Sequence, residues 1–187
     1  HTVENALAAA ALCRAADIDR KAVGAGLRSF KTGAHRNQLV GYANDIMWVN
    51  DSKATNPHAA NASMSGYPSL VWIAVGLSKG VEYDELIAAH AQRLKAVLII
   101  GTDTAALKSA LANHAPQVPT YNMTAAVADS SDGIAVMNAA VAKAAELAHP
   151  GDTVLMAPAS ASMDQFKNYA VRGDAFANAV AAQLADS

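Results

Sequence analysis

The sequence is poor in the residues that most often announce a chemistry. It has one cysteine, Cys13, in 187 residues. A disulfide within the chain and a multi-cysteine zinc site are both excluded. The histidines, at 1, 35, 58, 90, 114 and 149, show no HxxxH or HxH spacing, so no metal site built within this chain is expected. Lys and Arg number 14 against 16 Asp and Glu, a net charge of −2. A nucleic-acid binder needs clustered cations to neutralise phosphates, and none is seen. No apolar run approaches the roughly 18 to 20 residues of a membrane span. No G-x-x-x-x-G-K-[ST] and no G-x-G-x-x-G occurs, so neither common phosphate cradle is present. The G-x-S-x-G elbow of serine hydrolases is absent too.

What remains is apolar and ordered. Hydrophobic residues make up 52% and charged residues 16%, enough buried surface to offset the entropy of ordering. The length suits one domain, with room for a fragment of another. The chain opens at His1 and runs at once into Val3-Glu4-Asn5-Ala6-Leu7-Ala8-Ala9-Ala10-Ala11-Leu12, a strong helix from its first turn. A piece of a longer protein is therefore expected. The helix should reach about Ala16, with a second, short one from an Asp19 cap to Leu27. The pattern breaks from Phe30 to Asn37, and a boundary is placed there: residues 1–29 as leftover helices, 30–187 as the main domain.

The main domain begins with a β-hairpin, Gln38 to Ala43 and Ile46 to Asn50, turned at Asn44-Asp45. Asn56-Pro57 is a helix-start signature, and that helix should end near Gly66. Continuous apolar runs at Leu70 to Val75, Ala96 to Ile100 and Thr153 to Ala157 suit parallel strands covered on both faces. A shorter strand is expected at Val118 to Tyr121. Helices are expected at Glu82 to Leu94, Thr104 to Asn113, from a Ser131 or Asp132 cap to Leu147, and from about Asp164 to Leu184. Cys13, Trp48 and Trp72 read as packing residues. The alternation predicts an α/β fold: a Rossmann-like, mostly parallel sheet with helices on both faces and an antiparallel edge hairpin.

In such a sheet, ligands bind beyond the carboxyl ends of the strands. Three polar loops lie there: Asn50 to Asn56, Gly76-Leu77-Ser78-Lys79-Gly80, and Pro158-Ala159-Ser160-Ala161-Ser162. Each is read as leading into a helix N-terminus, where free N–H groups and the dipole favour an anion. A small acidic ligand held by Lys53, Lys79, Thr55 and Ser162 is one reading. Plain helix capping and solvated lysines are the other.

Taken together, the blocks Asn50-Asp51-Ser52-Lys53-Ala54-Thr55-Asn56, His35-Arg36 and Ala157-Pro158-Ala159-Ser160-Ala161-Ser162-Met163-Asp164-Gln165-Phe166-Lys167 resemble the Mur ligases of peptidoglycan synthesis. The opening His1-Thr2-Val3-Glu4-Asn5-Ala6-Leu7-Ala8-Ala9 is similar to the family's H-N-x-x-N-x-x-A-A segment. Within the family the likeness is nearest to the member that adds D-glutamate. It implies the last helices of a central ATPase domain followed by a complete C-terminal ligase domain. It also implies an ATP- and Mg2+-dependent ligation that joins D-glutamate to UDP-N-acetylmuramoyl-L-alanine through an acyl phosphate, in the cytoplasm.

By motif, Thr55, Lys79, Ser162, Met163 and Tyr169 would hold D-glutamate. Asn5, Arg36 and Asp51 would contact ATP, and Lys53 could meet either ligand. No nucleic acid, no membrane and no metal site in this chain are implied. Thr2, Val75 and Tyr169 stand where the family usually has Asn, Gly and Phe. The P-loop, magnesium ligands and activating lysine of the family's central domain are not in this sequence, so these residues alone are expected to be inactive. The alternatives are another ligase of the superfamily, adding a different amino acid or extending folylpolyglutamate, and a non-catalytic nucleotide-binding module.

Overall fold

The computed structural model describes residues 2–77, 80–161 and 164–185 (for Thr2 and residues 75–77, the backbone alone). The chain divides into two compact units, residues 1–33 and 34–187. The first holds helices α1 (Thr2–Ala15) and α2 (Arg20–Ser29). Asp19 caps α2 by accepting a hydrogen bond from the Lys21 N–H at 2.8 Å. Two helices cannot bury their own apolar side chains, and Val3, Leu7, Leu12 and Phe30 all stay exposed. Cys13 is half-buried and carries a free thiol.

The second unit is a six-stranded sheet in the order β1-β2-β6-β3-β4-β5. Its strands are β1 (Gln38–Ala43), β2 (Ile46–Asn50), β3 (Leu70–Leu77), β4 (Leu94–Asp103), β5 (Thr120–Asn122) and β6 (Thr153–Met156). All neighbours run parallel except β1 and β2. That pair turns at Asn44 and Asp45, whose φ values of 52° and 59° are those of a type I′ turn. The predicted α/β architecture with an antiparallel edge is therefore the one observed.

Side-chain alternation along the strands builds two cores. One face carries Val49, Trp72, Ala74, Val97, Ile99 and Leu155 against α3 (Pro57–Met64), α4 (Asp84–His90) and α5 (Ala105–His114). The other carries Trp48, Val71, Ile73, Leu98, Val154 and Met156 against α6 (Gly133–Leu147) and α7 (Tyr169–Ala185). Trp48 and Trp72 are core residues as expected, and the Trp72 indole N–H donates to the Ala157 carbonyl at 2.7 Å.

Several element bounds differ from expectation by a few residues, and three of the differences have a visible cause or consequence. The helix expected to Leu94 stops at His90. Residues 91–93 turn so that Leu94 can open β4 opposite Leu70, and the Arg93 guanidinium caps the Ser65 and Tyr67 carbonyls. No Gly or Pro marks that stop. Strand β4 runs through Gly101, which takes φ 101°, to Asp103. Helix α7 starts at Tyr169 rather than Asp164, because the side chains before it are engaged elsewhere. Asp164 accepts from the Thr102 N–H, and the Gln165 amide donates to the Ser130 carbonyl. Asn168 then caps the helix through the Ala170 and Val171 N–H groups.

His90, 3% exposed, joins α4 to α3 by a 2.7 Å hydrogen bond between its Nε2 and Asn61 Oδ1. Burial, helped by the Arg93 charge, lowers its pKa below the usual 6.5. The unfolded chain therefore binds this proton more readily than the folded one. His90 costs nothing above the unfolded value near 6.5, and its penalty grows as pH falls from there towards the lowered folded value. Urea titrations from pH 7.5 to 5 should show a stability loss that His90→Gln reduces by up to about 1.4 kcal/mol per pH unit. Equal slopes in the two proteins would show that His90 is not held neutral.

Candidate functional site

The site is built on the carboxyl ends of β2 and β6. The backbone passes from β2 into β6 register through the Asp51 N–H, which donates to the Met156 carbonyl at 2.8 Å. The Ala159 N–H donates to the Ala54 carbonyl at 2.9 Å, closing the two loops on each other. Ala159 takes φ 62°, a left-handed turn that aims this donor.

The 50–53 turn is then fastened to the first turns of α7. Asn50 is fully buried, and its Nδ2 donates to the Gly173 carbonyl at 2.8 Å and to His35 Nδ1 at 3.2 Å. Its Oδ1 accepts from the Ser52 N–H. The Ser52 hydroxyl donates to the Tyr169 carbonyl at 2.6 Å. It also accepts from Arg172 Nε at 3.0 Å, while Arg172 Nη2 donates to the Ser52 carbonyl at 2.8 Å. The Arg172 side chain has no exposed surface. Burial pushes its pKa down to about 10, with the Asp164 charge pulling the other way, so it is still cationic at neutral pH.

His35 is the third part of this joint. Its φ of 61° is unusual for a residue with a side chain. It is stabilised by the Gln38 side chain, which accepts from the His35 N–H at 3.0 Å, and by the Lys53 N–H donating to the His35 carbonyl at 3.1 Å. Because Nδ1 accepts from Asn50, Nε2 carries the proton and faces Asp174 Oδ1 at 3.5 Å.

Four of the site candidates meet in two pairs on this frame. The Lys53 ammonium lies 4.0 Å from the centre of the Tyr169 ring. Asp51 and Arg36 interact electrostatically: burial raises the Asp51 pKa, while Ser63, the Asn37 backbone and the Arg36 charge act to lower it. Thr55 sits in the same turn, its N–H donating to the Lys53 carbonyl at 2.8 Å. Asn56 does what its type suggests and caps α3 through the Ala59 N–H. Asn5 belongs to the first unit. Lys79, Ser162 and Met163 lie outside the described residues.

One part of the sequence reading is corrected. Of the three loops, only the 50–56 loop runs directly into a helix N-terminus among the described residues. After β3 the next helix begins at Asp84, and α7 begins at Tyr169. The helix-dipole argument for an anion therefore holds at α3 and not at the loops carrying Lys79 and Ser162.

The sequence reading missed Arg172 and the supporting roles of Asn50, Ser52, Asp164 and Gln165. The available signal was an arginine followed by glycine one turn into an Ala-rich helix, where a solvated cation needs no such neighbour. A hollow of about 390 Å³ lined by Ile46, Ala142, Ala145 and Leu184 lies at the amino end of β2, away from these loops. Among the described residues no cluster of three His, Cys, Asp or Glu side chains could hold a metal ion, and no helix is long and apolar enough to cross a membrane.

An α/β domain of this kind gathers its strand-to-helix loops beyond the carboxyl ends of the parallel strands, where ligands bind in this class of fold. Sequence comparison supplies the family: the model of the Mur ligase glutamate ligase domain matches residues 35–160. The chain belongs to the Mur ligase family. It is 53% identical over 180 residues to the UDP-N-acetylmuramoylalanine--D-glutamate ligase of Streptomyces avermitilis, covering 96% of this chain and 37% of that protein. The enzyme of the same name from Frankia casuarinae is 51% identical over 183 residues, covering 98% and 36%. This chain thus spans little more than a third of these relatives. In three dimensions it is similar to the UDP-N-acetylmuramate-alanine ligase MurC of Thermotoga maritima. That likeness has a TM-score of 0.61 at 14% identity, with 100% of this chain and 38% of that chain covered, and it speaks for the fold alone.

Gly173 gives a direct test of the joint. A Cβ there would land on His35 Nδ1 and within 2.6 and 2.8 Å of Cγ and Cε1 of the same ring. Helix propensity alone favours Gly173→Ala by about 0.8 to 1.0 kcal/mol. Overpacking against a fixed ring costs about 1 to 3 kcal/mol. A net loss of stability is expected on denaturant titration; a net gain would show that His35 is free to move aside.

Proposed function

We propose that this chain is the C-terminal part of an ATP-dependent ligase that adds D-glutamate to UDP-N-acetylmuramoyl-L-alanine in peptidoglycan synthesis, in the cytoplasm. The family match, which takes in both the 50–56 and the 157–160 loops, and the sequence identity of more than 50% over nearly the whole chain carry the reading. Residues 1–29 are then the last helices of a central ATPase domain, and their exposed Val3, Leu7 and Leu12 are packing residues without their partner.

In this reading D-glutamate is held by Thr55, Lys79, Ser162, Met163 and Tyr169. Its two carboxylates call for charged and neutral donors of this kind. Asn5, Arg36 and Asp51 face ATP. The half-buried Asp51 can accept from ribose hydroxyls, and Arg36 can pair with phosphate oxygens. ATP supplies the phosphoryl group that gives the muramoyl carboxylate a leaving group, and the D-glutamate amine displaces it. In the longer protein Mg2+ would neutralise charge on the transferring phosphoryl group. What this chain does is position the amine and part of the nucleotide, and effective molarity is a large share of any such ligation.

Two measurements test this. The 187-residue chain alone should turn over no ATP. In the longer protein, Lys79→Ala should weaken D-glutamate dependence roughly ten- to a hundredfold, the loss of a charge-assisted contact worth about 1.5 to 3 kcal/mol, with ATP little affected. Asp51→Ala should show the opposite bias. If Lys79→Ala weakened only ATP, the assignment of the 76–80 loop to D-glutamate would be wrong.

A further inference from the structure

Lys53 is the residue whose ligand the motif leaves open, and its surroundings say how it is held. Its backbone is fixed twice, by its N–H on the His35 carbonyl at 3.1 Å and by its own carbonyl accepting from the Thr55 N–H at 2.8 Å. Its side chain is half-buried, and no ion pair for its ammonium occurs among the described residues. Instead the ammonium sits 4.0 Å from the centre of the Tyr169 ring, well inside the range in which an aromatic face attracts a cation. The ring is itself anchored. The Tyr169 carbonyl takes the Ser52 hydroxyl at 2.6 Å, and His35 meets the ring edge-on at a centroid distance of 6.4 Å.

We propose that Tyr169 is a positioning residue for Lys53. Its aromatic face parks the ammonium at the mouth of the site, from where it turns to an incoming carboxylate or phosphate oxygen. This deepens the function proposed above and rests on it for the identity of the ligand, though not for the ring contact itself. A quadrupole attracts a cation weakly enough to release it to a full negative charge, whereas a carboxylate at the same place would compete with the ligand. The ring also keeps the long side chain from exploring solvent, so less rotamer entropy is lost when the ligand arrives. The attraction needs the ring and not the hydroxyl.

The contact can be read directly by NMR on the 187-residue chain. A cation over a ring face places the Lys53 ε-methylene protons in the shielding region, so their resonance should lie upfield of the other lysines. Tyr169→Phe should keep that shift and Tyr169→Leu should abolish it, with Trp48 and Trp72 fluorescence confirming that each variant is folded. A Lys53 resonance among the other lysines in the parent chain, or one unmoved by Tyr169→Leu, would overturn the proposal.

In the longer protein, Lys53→Ala and Tyr169→Leu should raise the KM of the same substrate, Tyr169→Leu by about two- to fivefold. Because Tyr169 also meets D-glutamate in the function proposed above, the double variant should lose less than the product of the two single losses. Independent, multiplying effects would overturn the positioning role. A longer protein with no ligation at all would instead overturn the proposed function, and the ring contact would then be decided by the NMR shift alone.

Discussion

Everything at the ligand edge depends on one buried joint, in which Arg172 and Asn50 tie the turn after β2 to the start of α7. Arg172 grips both the hydroxyl and the carbonyl of Ser52, and Asn50 reaches the Gly173 carbonyl. These contacts link residues more than a hundred positions apart. Without them the turn after β2 would be held to its neighbours mainly by backbone hydrogen bonds. A guanidinium without exposed surface is costly to desolvate, as its pKa near 10 records. Such a group is kept where its geometry matters more than its net contribution to stability. Here its fork fixes Ser52, and Ser52 fixes the Tyr169 carbonyl. Lys53 and Asp51 flank Ser52 in sequence, so both are placed by the same grip.

Parallel strands explain why the site is at this edge. The carboxyl ends of β2, β6 and β3 lie side by side, and each strand must hand the chain to a helix through a loop at the same rim. Chemistry-bearing residues far apart in sequence are thereby gathered without a closed pocket. The exception to the usual helix-terminus rule is informative. At β6 the chain spends residues 164–168 on anchoring before α7 begins, with Asp164 on Thr102 and Gln165 on Ser130. Those two side chains are positional fasteners between β6 and the β4 and β5 loops, and the S-x-D-Q-F pattern is in part a structural signature.

Much of this was legible in the sequence because it rests on local rules. The Asn44-Asp45 turn, the Asn56-Pro57 helix start, the Asp132 cap and the unbroken apolar runs each depend on one or two neighbouring residues, and each is where it was expected. What escaped depends on distant partners. The end of α4 at His90 is set by β4 register, in a stretch of good helix formers with no breaker. The late start of α7 is set by partners of Asp164 and Gln165 on other loops. Arg172 carries only a faint local mark of burial, the glycine that follows it, and an arginine on a terminal helix otherwise reads as solvated. The motif pointed to Lys53, Asp51, Arg36 and Tyr169, and packing then set which side chains touch.

The joint has a consequence for how such a site works. Asp51, Lys53, Thr55 and Tyr169 hang from one hydrogen-bonded body that includes β2, β6 and α7. They therefore move together, and their spacing does not need to be rebuilt each time a ligand arrives. Preorganisation of this kind lowers the ordering cost of binding but cannot by itself supply the missing contacts. A body that presents a carboxylate, a cation and an aromatic face from one rigid frame makes part of a candidate binding site. Its selectivity lies in the fixed distances among those groups, and its affinity lies in whatever surface closes over them. A ligand bridging both surfaces gains from each in proportion to how rigidly each is held. This is why the buried arginine sets the precision with which Asp51, Lys53 and Tyr169 are placed.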